Sequence, residues 1–196
     1  MIKLFLSGVR LFAVLTVIMG VIYPLVITII GQIVFPAQAN GSLVVKNDVV
    51  IGSSLIGQNT TDPRYFWSRP SAVNYMLGSS AEAIGSSGAS NLSPVSATLA
   101  EIVAEREQAF REANNLADDV AVPVEMLFAS GSGLDPHISP QAARLQIDRI
   151  ATVRGLDRQV VADLVEKFVE SPTFGILGGA RVNVLSLNLA LDDIQS

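Results

Sequence analysis

The residues that could carry chemistry are concentrated between positions 130 and 140, where the chain reads Ser-Gly-Ser-Gly-Leu-Asp-Pro-His-Ile-Ser-Pro. His137 is the only histidine of the protein, and Asp135 precedes it by two residues. A hydrolase triad needs a histidine that hydrogen-bonds the serine and is oriented by a carboxylate. Groups so close together on a proline-interrupted loop rarely converge in this way, and the Gly-x-Ser-x-Gly pattern is absent. The segment therefore predicts no catalytic residue but a tight turn, followed by a helix that Ser139 caps and Pro140 opens.

The sequence offers weak signals for a metal site and for a nucleotide site. One histidine, no cysteine and scattered carboxylates do not give metal-ligand spacing. The Gly/Ser-rich stretch from Gly78 to Ser93 could present backbone N–H groups to a phosphate, but it lacks the Gly-x-x-x-x-Gly-Lys-Ser/Thr pattern. We predict no metal, and direct cofactor binding stays unknown. The candidates for it in this loop are Ser87, Gly88, Ser90 and Asn91.

The element that precedes these loops is a membrane anchor. Residues 11–35 carry no charged side chain, and as a helix they reach roughly 37 Å, more than the ~30 Å of bilayer hydrocarbon. Lys3, Arg10 and the α-amino group precede this span, whereas residues 36–45 carry no basic group. Because positive charge marks the cytoplasmic side, we expect the N-terminus inside. The predicted division is a cytoplasmic segment 1–10, a transmembrane helix 11–35 and an outer domain 36–196.

Cleavage of the span as a signal peptide is the alternative, since residues 37–39 read Ala-Gln-Ala. The apolar region is longer than the roughly 7 to 15 residues of a signal peptide, which favours the anchor. Pro24 removes the helical donor of the Gly20 carbonyl, so Thr28, a neighbouring helix or a local adjustment must supply another. Gly20, Pro24 and Thr28 therefore predict a face that contacts a partner helix, although each residue is also common in spans.

The outer domain is acidic. All eighteen acidic residues lie at Asp48 or later, against ten basic ones, so that this region carries a net charge of −8. Nucleic-acid binding is thereby disfavoured. The acidity either gathers cations near a transport mouth or is ordinary solubility charge, and the sequence leaves both open.

A contact surface is predicted in residues 62–72, which contain three of the twelve aromatic residues and two arginines. Aromatic and arginine side chains are enriched in protein interfaces. The interface candidates outside the membrane are Tyr65, Phe66, Trp67, Arg69, Asp135 and His137. The alternative is that the three aromatic side chains pack into the domain's own core or lie at the level of the lipid headgroups.

The patterns that position these residues predict an α+β domain, with a mixed sheet and about three helices. They comprise a hairpin at 43–51, a helix opened by Ser93 and Pro94 and ending near Asn115, a strand at 122–129, a helix from Ser139 to Gly155, a helix capped by Asp157, and a closing strand at 182–191.

Seven stretches in this order resemble the C chain of the bacterial Kdp-type potassium-transporting ATPase. They are Tyr23-Pro24-Leu25, Gln-Ala-Asn-Gly-Ser-Leu at 38–43, Gly-Ser-Ser-Leu-Ile-Gly-Gln at 52–58, Tyr-Phe-Trp-Ser-Arg-Pro-Ser-Ala at 65–72, Ser-Asn-Leu at 90–92, the segment 130–143, and Arg-Val-Asn-Val-Leu at 181–185 with Leu187-Asn188.

The resemblance implies an accessory, non-catalytic subunit of a bacterial inner-membrane potassium importer. Its partners would be a channel-like potassium-binding chain, a P-type ATPase chain and a small single-span chain, and the complex would handle ATP and potassium. The outer domain would lie in the periplasm. The family is also described as a catalytic chaperone that raises the ATP affinity of the pump chain. Residues 86–91 are compared there with an ATP-transporter signature, which Ala89 interrupts here.

An outer domain cannot touch cytoplasmic ATP, so any effect on nucleotide affinity would pass through helix contacts as a coupling of ~1 to 3 kcal/mol. Two other classes stay open. The chain could be a freestanding anchored binding or sensor domain of the envelope, or an anchored hydrolase.

Overall fold

The computed structural model describes residues 1–46, 48–73 and 87–194. The chain divides into two compact units, Met1–Leu43 and Val44–Ser196.

The first unit is built on a long apolar helix. It consists of α1 (Ile2–Val17), a π-helical turn (Ile18–Ile22) and α2 (Tyr23–Val34), and the short α3 (Pro36–Ala39) follows. The stretch Ile2–Val34 contains 18 consecutive residues with a mean hydropathy of 2.5, and it is long and apolar enough to cross a membrane. The helix begins earlier than the predicted span and includes Lys3 and Arg10.

The π-helical turn lies directly before Pro24. The Tyr23 N–H donates to the Ile18 carbonyl, five residues earlier, so the helix continues with a wider turn. Thr28 Oγ1 donates to the Pro24 carbonyl at 2.8 Å. Of the ways to accommodate the proline, the structure shows a local adjustment of the backbone.

The second unit is α+β, as predicted. A two-stranded sheet is formed by β1 (Leu43–Lys46) and β2 (Val49–Ser53), which confirms the predicted hairpin. Three short strands form an antiparallel sheet in the order β3-β5-β4, with His137 opposite Asn183 and Val169 opposite Val182. The remaining elements are α4 (Ala97–Asn114), a 3₁₀ turn (Val124–Met126), β3 (His137–Ile138), α5 (Pro140–Arg144), α6 (Ile147–Arg154), α7 (Arg158–Lys167), β4 (Val169–Glu170), β5 (Arg181–Asn183) and α8 (Val184–Ile194).

The hydrophobic core lies between the short sheet and the helices, and the aromatic stretch of the sequence enters it through Phe66. Its fully buried side chains are Phe66, Ala142, Ala143, Ile150, Val161, Val165, Val182, Leu187 and Leu191.

Helix ends were predicted well where the signal is a cap. The Ser139 hydroxyl accepts from the Ala142 N–H at 3.1 Å, and the Asp157 carboxylate accepts from the Gln159 N–H at 2.6 Å. Gly155 ends α6 in the left-handed conformation, with φ +65°. The predicted single helix before it is wrong, because the chain breaks between α5 and α6 at Leu145 and Gln146.

Nearer the middle of the chain, the start of one helix and the type of one element were also predicted wrongly. Helix α4 begins at Ala97, because Ser93 and Pro94 form a preceding turn, and Val95 is 92% exposed. The predicted strand at 122–129 is a 3₁₀ turn. Val122 and Met126 are buried while Val124 is 68% exposed, the four-residue spacing of a helical turn.

The closing strand is wrong for a similar reason. Leucine alternates with other residues from 185 to 191, which is the period of a strand, yet the segment from Val184 is helix α8. The buried residues of α8 are Val184, Leu185, Leu187 and Leu191, and of these Val184, Leu187 and Leu191 lie at helical spacing on one face. Leucine and alanine favour helices, and residues 185–191 contain no β-branched side chain.

Candidate functional site

Residues 62–69, here called the aromatic segment, run beside the helices without joining a β-strand. A buried backbone outside a sheet must find other partners for its N–H and C=O groups. In this segment those partners are side chains of the α5–α6 junction, α6 and α8.

Two side-chain amides each hold both backbone groups of one residue. Asn188 Oδ1 accepts from the Phe66 N–H at 2.8 Å, and Asn188 Nδ2 donates to the Phe66 carbonyl at 3.0 Å. Gln146 does the same for Trp67, at 2.7 Å and 3.3 Å, and is itself fully buried. Each amide thus makes the two backbone hydrogen bonds that a neighbouring β-strand would otherwise make.

Arg149 supports the same segment from within. Its guanidinium donates to the Pro63 carbonyl, to the Tyr65 carbonyl at 3.1 Å and to Gln146 Oε1 at 2.8 Å. It also donates to Asn114 Oδ1 at 3.0 Å and lies 4.7 Å from the centroid of the Trp67 ring, a cation–π contact. These acceptors are all neutral.

The charge of Arg149 is therefore stabilised by the dipoles of its neutral hydrogen-bond acceptors and by the face of the Trp67 ring. Burial lowers the pKa of Arg149 to about 10, with Asp62 opposing that change. The group stays charged at neutral pH. A buried cation of this kind is tolerated only while its donors are satisfied.

A second arginine fixes the start of the segment. Arg154 donates to the Arg64 carbonyl and to Asp192 Oδ1, both at 2.7 Å, and lies 4.7 Å from the centroid of the Tyr65 ring. The Tyr65 hydroxyl donates to Asp192 Oδ2 at 3.2 Å. The segment is thereby attached to both α6 and α8.

These contacts correct the predicted interface at one residue. The Phe66 side chain is fully buried, so it has no surface to offer a partner. Trp67 is half-buried: its indole N–H donates to the Asp62 carbonyl at 3.1 Å, and its ring meets Phe110 edge-on at 6.4 Å. The alternative of packing into the domain's own core is correct for Phe66 and describes much of Trp67.

Arg69 lies beside two other candidates that are distant from it in sequence, Asp135 and His137. Arg69 Nη1 lies 2.8 Å from Asp135 Oδ2, and the His137 N–H donates to Asp135 Oδ1 at 3.0 Å. The imidazole Nδ1 is 3.6 Å from the same oxygen, long for a hydrogen bond. The pKa of Asp135 is lowered to about 2, first by the His137 side chain and then by the His137 N–H and Arg69, against the effect of burial.

The loop before Asp135 packs against the Gly/Ser-rich loop. Gly133 has φ +70°, and a Cβ there would lie 2.7 Å from the Gly88 carbonyl oxygen. The Gly88 N–H and the Ser87 hydroxyl both donate to the Ser132 carbonyl, at 2.8 and 3.0 Å. Two of the four cofactor candidates thus contact the backbone of the loop before Asp135.

The other two cofactor candidates lie at the exposed end of this loop. Ser90 and Asn91 are exposed, and Asn91 adopts a left-handed conformation with φ +53°. The part of the predicted loop from 78 to 86 lies outside the described residues.

The hydrolase arrangement does not form. Ser130 Oγ and Ser132 Oγ are 3.5 Å from each other, and the His137 imidazole is next to Asp135. Within residues 1–46, 48–73 and 87–194, no group of three or more His, Cys, Asp or Glu could hold a metal ion.

Sequence analysis missed Gln146, Arg149 and Asn188. Each is a polar residue beside apolar ones: Gln146 directly precedes Ile147 at the start of α6, Arg149 precedes the fully buried Ile150, and Asn188 follows the fully buried Leu187. A buried polar residue of this kind signals a hydrogen-bonding role, but only once the helix is assigned correctly.

The chain matches a family model described as "KdpC: K+-transporting ATPase, c chain" over residues 5–193. It is 48% identical over 195 residues to the potassium-transporting ATPase KdpC subunit of Methylococcus capsulatus, covering the whole of both chains. Identity is 50% to the KdpC subunit of Polaromonas naphthalenivorans, over 94% of this chain and 92% of the relative. For the KdpC subunit of Synechocystis it is 47%, over 98% and 100%.

Replacing Arg149 with lysine should destabilise the protein by about 2–4 kcal/mol, since an ammonium cannot reach all the acceptors of the guanidinium and leaves some buried and unpaired. Arg158→Lys is the matched control, because the Arg158 side chain is 64% exposed and should cost less than about 0.5 kcal/mol. Denaturant unfolding of the full chain in detergent, followed by the fluorescence of Trp67, measures both. Equal losses in the two variants would contradict the role given to Arg149.

The low pKa of Asp135 makes a pH prediction. A carboxyl whose pKa is lowered on folding adds stability above its unfolded pKa of about 4, and that stability is lost as the pH falls towards 2. Asp135→Asn should therefore lower the melting temperature at pH 7 and flatten its decline between pH 4 and 2. Some decline should remain, because the pKa of Asp62 is also about 2. An unchanged profile in the variant would show that the Asp135 cluster is not formed.

Proposed function

Because this chain belongs to the KdpC family, the C chains of potassium-transporting ATPases, we propose that its task in the complex is assembly and coupling. It is an accessory chain of that complex and not the catalytic one. The observation that carries the proposal is the extent of the match. Residues 5–193 include nearly all of the long apolar helix and of the second unit, Val44–Ser196, here called the soluble unit, so the family match covers both.

We place the N-terminus in the cytoplasm and the soluble unit in the periplasm, at the bacterial inner membrane. Lys3 and Arg10 precede the uncharged part of the helix, while residues 36–45 carry no basic group, which supports this orientation. The partners are a channel-like potassium-binding chain, a P-type ATPase chain and a small single-span chain.

In this arrangement the pump chain binds ATP, and the present chain affects nucleotide affinity only indirectly. A periplasmic unit has no access to cytoplasmic ATP. The Gly88 N–H, a candidate phosphate donor, is used by the Ser132 carbonyl. A rise in ATP affinity would be a coupling of ~1 to 3 kcal/mol transmitted through the membrane helix.

Contacts with partners are proposed at two places. In the helix they use Gly20, Pro24 and Thr28, where the π-helical turn meets the proline. In the soluble unit the aromatic segment contributes through Tyr65, Trp67 and Arg69, which keep exposed surface, and not through Phe66.

Co-purification tests the function. A tagged full-length chain expressed with the neighbouring genes of its organism should bring down a P-type ATPase chain in mild detergent. Deleting the gene of this chain should prevent the complex from forming and should abolish growth in medium with a low potassium concentration. A chain that purifies alone, with growth unaffected by its loss, would favour the anchored binding or sensor domain.

The orientation is tested separately by labelling. The protein has no cysteine, so Val95→Cys introduces a single thiol at a side chain that is 92% exposed. A membrane-impermeant maleimide should label it in cells whose outer membrane has been opened, and a cysteine introduced at Lys3 should be labelled only after lysis. The reverse pattern would overturn the periplasmic assignment.

A further inference from the structure

The soluble unit exposes three large apolar side chains on one short turn between β4 and β5. Phe174 is 88% exposed, Ile176 82% and Leu177 56%. We call these three residues the apolar tip. Single exposed apolar residues are normal on protein surfaces, but a contiguous group marks a contact site.

The turn that carries the apolar tip is ordered by its own backbone. The Thr173 N–H donates to the Leu177 carbonyl at 2.9 Å, and the Leu177 N–H donates to the Thr173 carbonyl at 3.0 Å. The Gly175 N–H donates to the Pro172 carbonyl at 2.8 Å. A partner that binds this turn loses little to conformational entropy.

Phe174 is held in an unfavourable conformation. Its φ is +56°, in the left-handed region that a residue with a large side chain rarely adopts. Gly175 and Gly178, at φ +78° and +81°, adopt such angles freely. Strained positions of this kind concentrate at binding sites, where the fold holds a side chain ready for its partner. Here the strain directs an aromatic ring into solvent.

Charge identifies the kind of partner. Residues 171–180 contain no charged side chain, while the strands that enter and leave the turn carry the ion pair Glu170–Arg181 at 3.0 Å. An apolar centre with a polar rim is the usual anatomy of a protein interface. Anionic lipid is a poor match, since the turn offers no basic residue and the region from Asp48 onward has a net charge of −8. The same charge opposes docking of a second copy.

We propose that the apolar tip inserts into an uncharged apolar pocket of a partner chain and so attaches the soluble unit to the transport complex. This inference rests on the proposed function. Phe174 and Ile176 are the anchors, and Leu177 fills the edge of the pocket, next to its backbone hydrogen bonds with Thr173.

Photo-cross-linking of the assembled complex tests the contact. Ile176→Cys gives a single thiol, which is labelled with a benzophenone maleimide and irradiated in the membrane. We expect a covalent adduct with a partner chain, at a yield at least about fivefold above that of Val95→Cys, a position that is no less exposed than Ile176 but lies elsewhere on the unit. Adducts only with lipid, adducts only with a second copy, or equal yields at both positions would overturn the proposal.

A second variant measures the contribution of the ring. Asparagine tolerates the left-handed region, so Phe174→Asn keeps the turn while removing the aromatic side chain. It should weaken association with the complex at least about tenfold in a detergent wash, whereas Val124→Asn, at a side chain 68% exposed, should not. Unchanged association of Phe174→Asn refutes the role of the tip. If the unmodified chain also fails to bind a P-type ATPase chain, the proposed function itself is wrong.

Discussion

A buried guanidinium with neutral acceptors organises the soluble unit. Arg149 joins the aromatic segment, the end of α4 and the α5–α6 junction through one planar group. Because its desolvation is offset by these hydrogen bonds, by the Trp67 ring and by the charge of Asp62, the partners hold one another in place. Gln146 and Asn188 then supply the backbone hydrogen bonds that a sheet would otherwise provide, so a chain with little strand structure still keeps an extended segment in its core.

This network also explains why the aromatic stretch suggested an interface. Tyr65, Phe66 and Trp67 have the composition of a contact surface, and much of that surface, including all of the Phe66 side chain, contacts the chain itself. The composition of a segment indicates that it makes extensive contacts, but it does not distinguish contacts with the chain's own core from contacts with a partner protein. A group of exposed large apolar side chains lies instead at the apolar tip, in the turn between β4 and β5.

Local signals in the sequence predicted local structure. The Ser139 and Asp157 caps, the left-handed Gly155 and the hairpin were predicted because each depends on residues within a few positions. Helix α8 was not, since alternating leucines fit a strand and a helix equally until the neighbouring elements select the buried face. Arg69 and Asp135 were both candidates, but their ion pair spans 66 positions, a pairing that no local pattern contains.

The π-helical turn before Pro24 has a consequence for the single helix. Such a turn adds one residue to a helical turn, and each residue advances the side-chain direction by about 100°. The row of side chains that faces one neighbour on α1 therefore faces a different direction on α2. One span can in this way contact two different neighbours, each over half of its length. In an α-helix without the π-helical turn, the same side chains would all face a single neighbour.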